Sequence, residues 1–208
     1  MGGERNDRVP VAIFGSGRGS TARALLEHQR SGEAEYHCVL VISDRSDAGI
    51  LAVAQEYKIP ALVMSPRDFS DRDTYVRAML NYLAERAVIV IALAGYLRKV
   101  PSEIVAAYAN RIVNIHPALL PKFGGKGMYG INVHRAVLDA GEHCSGATIH
   151  RVTEEYDAGE ILEQVRVPIF ATDTPYSLME RVQTAERWFY PRALDRVCWQ
   201  IGSKKFWL

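Results

Sequence analysis

Residues 11–28 read VAIFGSGRGSTARALLEH: a short apolar run, a turn with three glycines, then Ala24, Leu25 and His28 at helical spacing. The run Val11–Phe14 is continuously apolar rather than alternating, which is how a strand reads when both of its faces are buried. The same pattern repeats through the first half of the chain. Further strands are expected at Cys38–Ser43, Ala61–Met64 and Val88–Leu93, with helical stripes between them at Ile50, Val53, Ala54 and Tyr57, and at Tyr75, Met79, Tyr82 and Leu83. Ser70 followed three residues later by Asp73 reads as a helix start of the capping-box kind. Strand–helix alternation implies right-handed crossovers and a parallel sheet. The expected fold class is α/β, doubly wound, with a mostly parallel sheet.

The second half departs from that rhythm. A strand at Arg111–Ile115 is followed by a turn-rich connection, a helix around Val133–Ala140, and strands at Ala147–Val152 and Ile161–Val167. The last two are joined by the acidic loop TEEYDAGE and are expected to pair antiparallel at the sheet edge. A final helix starts at Thr174-Pro175, with threonine as cap and proline in the first turn, and Pro191 should kink or end it. Neither a repeat nor a linker divides the chain. One domain over residues 1–208 is expected, with residues 1–9 disordered.

Bulk properties exclude several classes. Lysine and arginine number 25 against 24 acidic residues, a net charge of +1 over 208 residues, which gives no reason to expect a nucleic-acid partner. No apolar run reaches the length of a membrane span, so no membrane association is expected. The three cysteines match no metal spacing and read as reduced thiols, consistent with a cytoplasmic protein. No metal is expected.

Three segments can carry chemistry. The turn Gly15–Ser20 opens a helix directly after a strand, where outward backbone amides and the helix dipole suit a phosphate. Its G-x-G-x-G spacing is not the dinucleotide fingerprint, and a plain tight turn explains the glycines equally well. At the end of the fifth strand, Asn114 and His116 stand two residues apart and project to the same side. An amide N–H can stabilise a developing oxyanion, and an imidazole can move a proton near neutral pH. In the loop after the sixth strand, Asp157 precedes the small residues Ala158 and Gly159, which permit close approach of another group. A carboxylate beside the imidazole would raise its pKa and orient it. Each segment alone also reads as ordinary structure: a glycine turn, a bonded strand-end histidine, a solvated acidic loop. His150 reads as a group supporting the others.

Together, FGSGRGST, LAGYLRKVP, RIVNIHPALLPKFGGKGMYG, SGATIHRVTEEYDAGEIL and RVQTAERWFYPR resemble the phosphoribosylglycinamide formyltransferases, over about Val11 to Arg192. The NIHPALLP string with a later D-x-G is the most specific part of that resemblance. It implies a formyltransferase-like fold and an antiparallel sheet edge. Its catalytic trio would be Asn114, His116 and Asp157. Gly19, Ser20 and Thr21 would hold a ribonucleotide phosphate, and Gln183, Thr184, Ala185 and Glu186 would contact the same substrate. Arg72, Leu97, Arg98, Lys99, Val100, Thr153, Glu154, Glu155, Tyr156 and Asp157 would bind folate. The implied substrates are glycinamide ribonucleotide and 10-formyltetrahydrofolate, the latter as co-substrate, and the implied assembly is a monomer or homodimer. In the implied reaction, Asn114 and a protonated His116 bond the oxyanion while Asp157 keeps the imidazole charged.

Two departures stand out. Thr21 replaces a common asparagine, and the glycine-rich segment at 123–132 is longer than usual and reads as a mobile flap. Sugar-nucleotide formyltransferases and formyltetrahydrofolate deformylases share the central string and remain alternatives. Outside that chemistry stand a nucleotide-binding dehydrogenase and a silent nucleotide- or folate-binding module.

Overall fold

Along β1 (Val9–Phe14) successive side chains enter two different cores, and that division organises the molecule. In the computed structural model, which describes residues 8–203, Val11 and Ile13 join one apolar cluster while Ala12 and Phe14 join another. β4 (Val90–Leu93) splits the same way, Val90 and Ala92 against Ile91 and Leu93. The period-two geometry of a strand produces this sorting, and helices cover both faces. One face carries α1 (Ser20–Ser31), α2 (Gly49–Glu56), α5 (Ile131–Asp139) and α6 (Pro175–Ser203), through Leu25, Ile50, Val133 and Val182. The other carries α3 (Arg72–Glu85) and α4 (Ser102–Ala107), through Met79 and Ile104.

The remaining strands are β2 (Tyr36–Ser43), β3 (Ala61–Val63), β5 (Ile112–His116), β6 (Cys144–Arg151) and β7 (Ile161–Pro168). Their order is β3-β2-β1-β4-β5-β6-β7, with β1 to β5 parallel and β6 and β7 each antiparallel to its predecessor. The chain winds outward from β1 to β3 and returns to β4, so the strand order reverses between β1 and β4. Ligands of such sheets bind at the carboxyl edge of that reversal. There the turn after β1, the loop after β4 and the end of β5 lie side by side.

Several boundaries differ from the sequence expectation. Val9 already pairs with Tyr36 in β1, so disorder to residue 9 does not hold at its end; residues 1–7 lie outside the described residues, as does the aromatic pair Phe206-Trp207. The cap of α3 is Asp71, whose Oδ1 accepts from the Thr74 amide at 2.7 Å, while Ser70 donates to Asp71 rather than capping. α4 was not anticipated, its six residues being too few to show a period. The start of α6 follows expectation, with Thr174 and Ser177 bonding each other's amides.

Pro191 does not end α6, which runs on for 12 residues to Ser203. Proline in a helix interior costs about 3 kcal/mol. Leu178, Val182, Phe189, Leu194 and Val197 of the same helix are at most 5% exposed, and each contributes about 1.5–3 kcal/mol by burial. The sum outweighs the proline. Pro191 is buried, and the carbonyl deprived of a donor belongs to exposed Arg187, where water can bond it.

Candidate active site

A cleft of about 510 Å³ opens at the carboxyl edge of the sheet. Gly19, Ser20 and Thr21 form one wall and Leu97–Val100 another, with Asn114 and His116 at the floor and Thr153–Asp157 across the mouth. From α6, Gln183 and Glu186 face in. These two are three apart, on one helical face, so their neighbours turn elsewhere. Ala185 is buried in the core, and exposed Thr184 bonds the Glu180 carbonyl. Arg72 also stands outside the cleft, in an adjoining groove, held by Glu103 and Ser102. The convergence of the expected residues is therefore nearly complete, with Arg72, Thr184 and Ala185 apart.

The floor is built by strand register. β5 pairs with β6 so that Asn114 lies opposite His150, and the Asn114 amide nitrogen is 3.0 Å from His150 Nε2. His150 Nδ1 is 2.9 Å from the Arg151 carbonyl, which can only accept, so that nitrogen carries the proton. The amide nitrogen of Asn114 carries two hydrogens, so one N–H remains for another acceptor. The loop bearing Asp157 must fold back over this floor. Gly159 permits it, because a Cβ there would fall 1.8 Å from the Arg151 carbonyl oxygen. The close approach expected from the small residues is thus made by backbone.

Asp157 sits at a left-handed φ of 53°, a conformation aspartate tolerates better than most residues. Its Oδ2 accepts from the Gly125 amide at 2.9 Å and lies 3.5 Å from His116 Nδ1, and its Oδ1 lies 3.5 Å from His150 Nε2. Burial raises the carboxyl's pKa, but the bond from His150, the charge of His116 and the Gly125 amide outweigh it, and the group lies below the ordinary aspartate value. Asp157 is ionised.

His116 is 3% exposed. Its Nε2 lies 2.8 Å from the Phe123 carbonyl and so carries a proton, leaving Nδ1 toward Asp157. Burial lowers its pKa below the ordinary histidine value; Asp157 and the Phe123 carbonyl pull the other way without cancelling it. The resting ring is thus biased toward its neutral form, with Nδ1 open to take a proton beside the carboxylate; the protonated His116 of the implied reaction is the form that uptake would produce. Two more buried titratable groups line the cleft. His134 is lowered to about 4 by burial and the nearby His116. Burial lifts Glu186 to about 7 against the opposing charge of Arg187.

The sequence reading missed the backbone partners. The glycine-rich segment at 123–132 reads as a flap, yet its first residues supply the carbonyl that holds His116 and the amide that holds Asp157. Backbone groups leave no residue signature; only the density of glycines hinted at them. Across the mouth, Lys99 Nζ lies 5.7 Å from the centre of the Tyr156 ring, joining two of the expected walls.

The Formyl transferase family matches residues 9–194. A chloroplastic phosphoribosylglycinamide formyltransferase of Arabidopsis thaliana is 42% identical over 193 residues, 92% of this chain and 66% of the relative, so the chain spans just under two thirds of that protein. A phosphoribosylglycinamide formyltransferase of Haemophilus influenzae is 34% identical over 87% of this chain and 83% of its own. The crystal structure of the Brucella melitensis enzyme of that name superposes with a TM-score of 0.85 at 39% identity, covering 92% of this chain and 96% of that one.

Proposed function

The chain belongs to the formyl transferase family, and from that membership we propose that it moves the formyl group of 10-formyltetrahydrofolate onto the amine of glycinamide ribonucleotide, a step of purine synthesis. One observation carries the reading: an amide, an imidazole and a carboxylate from distant parts of the chain meet between a helix-opening glycine turn and a second, mixed polar–apolar wall. The turn suits the ribonucleotide phosphate, because Gly19–Thr21 open α1 and their amides point outward with the helix dipole behind them. Ser20 and Thr21 add hydroxyl donors. Gln183 and Glu186 reach the same substrate from α6. The wall at Leu97–Val100, facing Tyr156, takes the folate.

The chemistry follows from the protonation states. The neutral amine of the ribonucleotide attacks the formyl carbon, and the carbonyl electrons move onto oxygen. The resulting oxyanion accepts from the free N–H of Asn114 and from His116 Nε2, displacing the Phe123 carbonyl that occupies that proton at rest. His116 Nδ1, facing ionised Asp157, is the place where a proton from the attacking amine can be held. That proton leaves with the folate nitrogen as the carbon–nitrogen bond to folate breaks. No covalent intermediate with the protein is required.

The test is direct. Protein is incubated with 10-formyltetrahydrofolate with and without glycinamide ribonucleotide, and folate absorbance is followed. Product formed only with the amine supports transfer. Product formed equally without it identifies a hydrolase, and no product in either case overturns the reading.

A further inference from the structure

Behind the cleft, two residues outside its lining join the two walls. Ser16 follows β1 and is 5% exposed. Its amide donates to the Gly95 carbonyl at 3.0 Å, its Oγ accepts from the Leu97 amide at 2.9 Å, and its hydroxyl donates to Asp44 Oδ1 at 2.5 Å. Asp44 follows β2, and its side chain is 10% exposed. Its Oδ2 lies 3.6 Å from the Nε atom of Arg98; that nitrogen is buried and has no hydrogen-bond partner among the described residues, while the rest of the Arg98 side chain is partly exposed. Ser16 lies three residues before Gly19, and Leu97 and Arg98 belong to the opposite wall. A single hydroxyl thus bridges the phosphate-side turn to the folate-side loop.

The chemistry of the bridge exceeds what a strut needs. A hydroxyl that donates to a carboxylate becomes a better acceptor, which strengthens the bond from the Leu97 amide. A neutral acceptor at position 44 would satisfy Ser16 alone, and a buried carboxylate costs free energy unless its charge is used. The second oxygen of Asp44 uses it on Arg98. We propose that Ser16 and Asp44 are positioning residues: Ser16 fixes the two substrate walls relative to each other, and Asp44 additionally sets the guanidinium of Arg98 toward the folate side. This rests on the function proposed above.

Ser16→Ala should raise KM for the ribonucleotide and for the formyl-folate together, each about tenfold, with kcat at saturation changed less than threefold. Asp44→Asn keeps an acceptor for Ser16 and loses the charge on Arg98, so it should raise KM for the formyl-folate alone. A Ser16→Ala enzyme with one KM affected, or with kcat lost at unchanged KM, overturns the proposal. Amide hydrogen exchange over residues 95–98, without substrates, gives a second readout that folding or activity defects do not mimic. Exchange at Leu97 should quicken about tenfold in Ser16→Ala and little in Asp44→Asn; equal rates in all three proteins overturn the bridge. If the parent protein transfers no formyl group yet exchange responds as described, the proposed function fails and the bridge stands. If transfer proceeds and neither KM nor exchange responds, the bridge fails alone.

Discussion

At the scale of single residues, the site makes unequal demands. His116→Ala and Asp157→Asn should each lower turnover about a hundredfold with both substrates still bound, since both residues act on protons rather than on affinity. Near-normal turnover in either variant removes that residue from the mechanism. Asn114→Ala deletes one oxyanion donor and should raise the barrier by about 3 kcal/mol. Asp157 also favours the charged form of His116. Its neutralisation should therefore shift the acid limb of the kcat/KM profile to lower pH, and an unmoved limb would show that the 3.5 Å pair is not coupled. Asn114 and His116 were legible in the sequence because a strand's period of two sends them to one side. Asp157 was legible as the carboxylate of an acidic loop that the small residues Ala158 and Gly159 follow. Its partners were not, because the Gly125 amide and Phe123 carbonyl belong to backbone that any sequence possesses.

At the scale of elements, the strands were readable because burial on both faces leaves continuous apolar runs, as in Val11–Phe14. α4 escaped because so short a helix cannot show a period, and α6 runs past Pro191 because the core it fills outweighs the local cost of proline. The turn that opens α1 was read correctly as glycine-dependent, and the structure says where. Gly19 has φ 82°, and a Cβ there would lie 2.7 Å from the Cα of Ile50 in α2. Gly32, which closes α1, has φ 89° with open space around it. Gly32→Ala should cost only the left-handed strain, about 1–2 kcal/mol. Gly19→Ala adds a backbone collision that no rotamer relieves, so it should lower the melting temperature further and also raise KM for the ribonucleotide. Equal melting temperatures for the two variants would show that α2 yields to the intrusion, and the turn would then not be held by it.

At the scale of the whole molecule, two buried groups in the cleft oppose each other in the dependence of stability on pH. His134 has a folded pKa of about 4 against an ordinary 6.5. Between those values the unfolded chain binds the extra proton, so His134 makes stability fall as pH falls from 6.5 toward 4. Glu186 has a folded pKa of about 7 against an ordinary 4.5. Between those values the folded protein holds the extra proton, so Glu186 makes stability fall as pH rises from 4.5 toward 7. Over pH 4.5 to 6.5 the two slopes have opposite sign and similar size, about 1.4 kcal/mol per pH unit each. In the parent protein their contributions oppose each other. Glu186→Gln should expose the histidine, giving a melting temperature that drops on acidification through this window. His134→Asn should expose the carboxyl, giving one that drops as pH rises. Two variants with parallel profiles would mean that water reaches these groups in solution and that the floor of the cleft is wetter than its burial implies. Opposite slopes would establish that the packing of α5 against α6 keeps both groups from water.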